Sequence, residues 1–82
     1  MFNFEWHPDA LRELEKLDSF IARIILKRLD ELAEDPFSKD IKRLIGREEY
    51  RFRIGEYRVL FIIKGTTIII TKVGHRKHIY DF

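Results

Sequence analysis

The chain has 82 residues, a length that holds one domain, and no cysteine, which excludes both a disulfide framework and a thiolate metal site. No apolar run approaches the roughly 18 residues of a membrane span, and residues 1–6 lack the basic start and apolar stretch of a signal peptide, so a cytoplasmic protein is expected. The net charge of +2 hides a division: residues 1–40 carry 6 basic and 10 acidic groups, a net of −4, whereas residues 41–82 carry 10 basic and 4 acidic groups, a net of +6. Segregation of this kind predicts a basic surface on the C-terminal part of the fold, of the sort that meets nucleic acid or an acidic protein.

Phe2, Phe4 and Trp6 alternate with Asn3 and Glu5, the period of a short strand. Pro8 suits the first turn of a helix, because its missing N–H needs no partner there, and Asp9 favours the same helix start. Leu11, Leu14 and Leu17 give that helix, over about residues 8–17, an apolar stripe. Ser19 is the expected N-cap of a second helix, with Ile21, Ile24, Ile25, Leu29 and Leu32 on one face and Pro36 as its stop. So tight a junction predicts an antiparallel helical hairpin. Residues 37–48 show no period and read as a loop carrying Lys42, Arg43 and Arg47.

A three-stranded meander comes next, over about 49–54, 57–63 and 67–73. Gly55-Glu56 and Gly65-Thr66 are two-residue turns with glycine at the first central position. The expected fold is therefore α+β in one domain, residues 1–82. An N-terminal strand joins a four-stranded, mainly antiparallel sheet, and the hairpin packs on one sheet face. Alternation sends Tyr50, Phe52, Ile54, Tyr57, Val59, Phe61, Ile63, Ile68 and Ile70 to the helices. It sends Arg51, Arg53, Arg58, Leu60, Ile62, Ile69, Thr71 and Val73 to the other side.

The Gly55-Glu56 turn fixes a register in which Arg53 lies directly across from Arg58. Like charges so placed are destabilising, which argues that an anion is bound there. Arginine binds phosphate oxygens with a planar fork and stays charged, but it cannot act as a base. Proton transfer would need another group, and the tail offers His75, His78 and Tyr80. His75-x-x-His78 has no third ligand in view, so no metal is expected. Leu60, Ile62 and Ile69 form an apolar patch beside the arginines. It would be covered by a partner or by the tail from Ile79 onward.

Two stretches, Tyr-Arg-Phe-Arg-Ile-Gly-Glu-Tyr-Arg-Val at 50–59 and Val-Gly-His-Arg-Lys-His-Ile-Tyr at 73–80, resemble the RelE/ParE superfamily of toxins from type II toxin–antitoxin pairs. The likeness runs nearly the whole length and implies a RelE-like fold. For the RelE-like branch it implies a ribosome-dependent endoribonuclease that cuts mRNA in the A site, without cofactor or metal. By the same resemblance, Arg51 and Arg53 match paired basic residues of the first meander strand, where some members carry lysines. Arg58 matches the arginine of the second strand and Arg76 the arginine after the last. Tyr80 matches a tail tyrosine, at a shorter spacing than in some members. His75 is a second candidate for proton transfer, and Lys42, Arg43, Arg47, Lys72 and Lys77 are expected on ribosomal RNA. The implied partners are mRNA, the ribosome and a cognate antitoxin, with a toxin–antitoxin heterotetramer as one assembly. The same scaffold serves ParE-like inhibitors of DNA gyrase that cut nothing, and a relative that binds RNA without cutting it is a third reading.

Overall fold

A computed structural model describes residues 2–35 and 40–79. Strand β1 (Asn3–Trp6) leads into helix α1 (Pro8–Glu15). His7 is the N-cap, its Nδ1 accepting from the Asp9 N–H at 3.1 Å. Helix α2 (Ser19–Glu34) starts one residue earlier than expected, because Asp18 and not Ser19 is the cap: its Oδ1 accepts from the Phe20 N–H at 2.9 Å. Asp35 closes α2, and Pro36, the expected stop, lies outside the described residues. Ile25, Leu29 and Leu32 of α2 are buried, while Ile24 is exposed at the rim of the apolar face.

Among the described residues the sheet has five strands, not four. Residues 41–43, read above as loop, form β2 (Ile41–Arg43), which pairs antiparallel with β3 (Tyr50–Ile54). Strands β4 (Tyr57–Lys64) and β5 (Thr67–His75) complete the meander, and β1 adds to β5 in parallel, giving the order β1-β5-β4-β3-β2. The turn of the β3–β4 hairpin has Gly55 at φ 57° followed by Glu56 at negative φ, the pattern of a II′ turn. Arg53 therefore pairs with Arg58, as the sequence predicts.

One residue changes the parity of β5. Leu60 pairs with Lys72 but Phe61 pairs with Ile70, so Thr71 is an extra residue, a β-bulge, and its Oγ1 donates to the Leu60 carbonyl at 3.2 Å. Beyond the bulge, alternation is inverted. Val73, assigned above to the arginine face, pairs with Val59 and is 2% exposed in the helix-side core. Lys72 and Gly74 take the outer face instead. That core joins Phe52, Phe61, Ile68 and Ile70 of the sheet to Leu14 of α1 and Leu29 of α2. Among the described residues no polar or charged residue is buried, so the interior rests on apolar contact alone.

Helix α1 lies along β5 more than along α2. β1 covers β5 only as far as Ile70, whose carbonyl accepts from the His7 N–H at 2.8 Å. Past that point Glu13 of α1 takes the place of a strand: its Oε1 accepts from the Val73 N–H at 3.0 Å, and its Oε2 meets Lys72 Nζ at 3.3 Å. Among the described residues no helix is long and apolar enough to cross a membrane.

Candidate nucleic-acid interface

The sheet face away from the helices carries the basic residues in rows. Register places Lys42, Arg51, Leu60 and Lys72 side by side across β2, β3, β4 and β5. The next row holds Arg53, Arg58 and Gly74. Arg76 reaches the same end of the sheet from the turn after β5. Its backbone N–H donates to the Glu56 carbonyl, and its Nε donates to Glu56 Oε2, both at 2.8 Å. Three arginines thus surround the β3–β4 turn, with Arg51 one row inward.

Their guanidinium groups are held in different ways. Arg53 Nη2 pairs with Asp40 Oδ1 at 3.2 Å, and the Arg53 N–H donates to the Asp40 carbonyl at 3.0 Å. The other oxygen of Asp40 meets Arg28 of α2, also at 3.2 Å, and Arg28 lies over the Phe52 ring, 5.4 Å from its centroid. The hydrogen bond from Arg53, reinforced by that from Arg28, holds the Asp40 carboxyl below its ordinary value, and partial burial opposes them. Arg58 Nη1 turns back to the carbonyls of Gly55 and Tyr57, each at 2.8 Å. The Nε of Arg51 is buried and has no hydrogen-bond partner among the described residues.

The remaining site candidates divide between the faces. Lys42 shares the row of Arg51. Arg47, in the β2–β3 loop, forms an ion pair with Glu49, and Lys72 pairs with Glu13. Arg43 lies over the Tyr50 ring, 5.7 Å from its centroid, away from the arginine rows. Lys77 is exposed beyond β5. His75 pairs in register with Tyr57, past the bulge, so its ring stands edge-on to Tyr57 at 5.5 Å on the helix-facing side. Its Nδ1 accepts from the Lys77 N–H at 3.1 Å. The structure does not bring His75 to the arginine rows, and Tyr80 lies outside the described residues. Among the described residues no group of three or more His, Asp or Glu could hold a metal ion.

The apolar patch is smaller than the sequence suggests. Leu60 is 1% exposed, while Ile62 and Ile69 are half-buried. Ile79 is buried too, and its Cδ1 lies 3.4 Å from where a Cβ on Gly74 would stand, so the tail folds over this end of the outer face. Asp40 and Glu13 carry no signal in the sequence that marks them as partners of these cations. Glu13 and Lys72 are 59 positions apart, and no local spacing couples them.

A family model described as the ParE toxin of type II toxin–antitoxin systems matches residues 4–80. A Methanocaldococcus jannaschii protein provisionally named toxin RelE1 is 35% identical, over 96% of this chain and 94% of its own length. The toxin–antitoxin complex RelBE2 of Mycobacterium tuberculosis contains a chain of the same fold, 28% identical with a TM-score of 0.80, covering 92% of this chain and 98% of that one. The RelB–RelE antitoxin–toxin complex of Methanococcus jannaschii gives 30% identity and a TM-score of 0.74, covering 93% and 94%. The matched span takes in the helical hairpin and both arginine rows, and the chain belongs to the ParE toxin family of type II toxin–antitoxin systems, within the RelE/ParE superfamily.

Proposed function

We propose that this toxin is a ribosome-dependent endoribonuclease that acts in the cytoplasm, cuts mRNA in the A site, and is restrained by a cognate antitoxin. The observation that supports it most is the gathering of Arg53, Arg58 and Arg76 around one hairpin, with the buried, unpartnered Nε of Arg51 beside them. Three of these side chains are held by carboxylate or carbonyl oxygens, groups that a phosphate can replace. In the reaction the RNA 2′-OH attacks the adjacent phosphate. The P–O5′ bond breaks, leaving a 2′,3′-cyclic phosphate and a 5′-OH. Arg58 and Arg76 balance the charge that builds on the phosphate oxygens, and Arg51 and Arg53 hold the flanking backbone. Tyr80 carries the proton transfer. His75, turned toward Tyr57, is the weaker choice for that role. Lys42, Arg47 and Lys72 extend the contact along RNA on the same face, and Arg43 and Lys77 contact ribosomal RNA from its margins.

The antitoxin assignment is supported by the relatives, two of which were solved with an antitoxin. The ParE-like reading, gyrase inhibition without cleavage, is favoured by one observation: the family model that matches residues 4–80 is described as a ParE toxin. The two readings separate on programmed ribosomes. The native protein should cleave A-site mRNA, and Arg58→Ala with Arg76→Ala should lower the rate at least about 10²-fold. Cleavage unaffected by the double substitution would sink the assignment of these two arginines, whereas no cleavage by the native protein together with inhibited supercoiling by gyrase would replace the nuclease reading by the ParE-like one.

A further inference from the structure

The β4–β5 pairing continues one step past the ends of its strands. Tyr57 pairs with His75 and Arg58 with Gly74, and the same register sets Glu56 opposite Arg76, whose N–H donates to the Glu56 carbonyl at 2.8 Å. Tyr57 packs toward the helix-side core, so alternation puts Glu56 and Arg76 on the outer face with Arg58. Opposite charges directly across a ladder attract, where Arg53 and Arg58 repel. The attraction is realised at one atom of the guanidinium: Arg76 Nε donates to Glu56 Oε2 at 2.8 Å. A single turn thus holds both arginines assigned above to the phosphate. The Gly55 carbonyl accepts from Arg58 Nη1, and Glu56 accepts from the Nε and the backbone N–H of Arg76.

The tail fixes the backbone of Arg76 from the other side. The N–H groups of His78 and Ile79 donate to the His75 carbonyl at 2.9 and 3.0 Å, and the Lys77 N–H donates to His75 Nδ1. Ile79 is buried over Gly74. The Glu56 side chain is therefore not needed to place the Arg76 main chain. What it adds is the direction of the guanidinium. Its contact is with Nε, and the N–H donors on Nη1 and Nη2 can meet phosphate oxygens with Glu56 still in place. The two side chains are 54% and 60% exposed, and ion pairs so exposed add little to folding stability.

We propose that Glu56 is a positioning residue for RNA cleavage, its carboxylate aiming Arg76 at the phosphate that Arg58 also meets. The inference rests on the RNA-cutting role proposed above and adds to it a residue that acts through Arg76 without touching RNA. A carboxylate beside a nucleic-acid site otherwise only hinders, because it repels phosphate and its removal favours binding. A loss of rate on removing Glu56 has the opposite sign to that general effect.

The test is single-turnover cleavage of A-site mRNA on programmed ribosomes. The protein is varied to saturation, so that the maximal rate and the half-saturating concentration are read separately. Glu56→Ala should lower the maximal rate by about tenfold or more, as misplacement of a catalytic group does, with the half-saturating concentration unchanged or lower. Glu56→Gln, which keeps the size and an acceptor oxygen, should fall between Glu56→Ala and the native protein. In an Arg76→Ala protein, Glu56→Ala should cost nothing further, because its effect passes through Arg76. Melting temperatures should stay close to that of the native protein. A maximal rate that holds or rises in Glu56→Ala, any other order of the three rates, an equal loss with and without Arg76, or a Glu56→Ala protein unfolded at the assay temperature would each overturn the positioning role and leave the nuclease. No cleavage by the native protein would remove the nuclease reading, and the positioning role with it.

Discussion

Arg53 and Arg58 are direct cross-strand partners, yet each is drawn away from the other: Arg53 to the Asp40 carboxylate, Arg58 to the carbonyls of Gly55 and Tyr57. The repulsion expected of opposed cations is answered within the chain. Asp40 carries most of that answer for Arg53, since its two oxygens join β3 to α2 through Arg53 and Arg28. An RNA phosphate at Arg53 must compete with this carboxylate.

Asp40→Asn should therefore release Arg53 to RNA. Binding of a short single-stranded oligonucleotide should tighten, and the plot of log K against log salt should steepen by about 0.7, one more phosphate neutralised. Fluorescence anisotropy across a salt series measures both, and an unchanged slope would show that Arg53 does not reach the backbone.

Acid should act on the same carboxylate. The folded state holds Asp40 below its ordinary value, so its contribution to stability is complete above the unfolded value and is lost as pH falls through the folded one. The native protein should lose stability across that acid range more steeply than Asp40→Asn, and the two should run parallel near neutral pH. Urea denaturation at a series of pH values checks this.

Arg51→Met removes the cation whose Nε is buried without a partner. Folding stability should hold or rise slightly, because an unsatisfied buried donor is removed and the apolar stem kept. RNA binding should weaken, with a salt slope shallower by about 0.7. A loss of several degrees in melting temperature would instead mark Arg51 as a structural residue.

Glu13→Ala takes away the acceptor of the Val73 N–H and the partner of Lys72 in one step. The expected cost is about 1–3 kcal/mol, and Glu13→Gln, which keeps one acceptor oxygen, should recover much of it. Phe61→Ala provides the scale, since emptying a fully buried aromatic site costs about 3–5 kcal/mol. In a domain whose total is about 5–15 kcal/mol, that is a large share. Chemical denaturation of the three variants ranks them, and Glu13→Ala indistinguishable from the native protein would deny the strand-like role of α1.

The readable parts of this fold were those set by local chemistry. The Gly55-Glu56 turn fixed the β3–β4 register, and with it the Arg53–Arg58 pairing, because hairpin geometry depends on two residues. Strand β2 was not readable: Ile41, Lys42 and Arg43 have one apolar residue among them, and only pairing with β3 makes them a strand. The bulge at Thr71 left no mark either, since Thr71-Lys72-Val73 alternates as well on one face as on the other. That hidden step moved Val73 to the core, Lys72 to the arginine side, and His75 away from it. Two partners of the basic residues were invisible for a different reason. Asp40 acts across 13 positions and Glu13 across 59, distances at which only the fold decides who meets whom.

The extra residue in β5 makes the end of the chain a matter of odd and even numbers. An insertion or deletion of one residue between Thr71 and Gly74 would exchange inside for outside as far as His75, where β5 ends, and would launch the turn that carries Arg76 from the opposite side of the sheet. A change of two would preserve every orientation and alter only reach. Length variation among relatives in this stretch should therefore come in pairs wherever the tail keeps its place over the arginines.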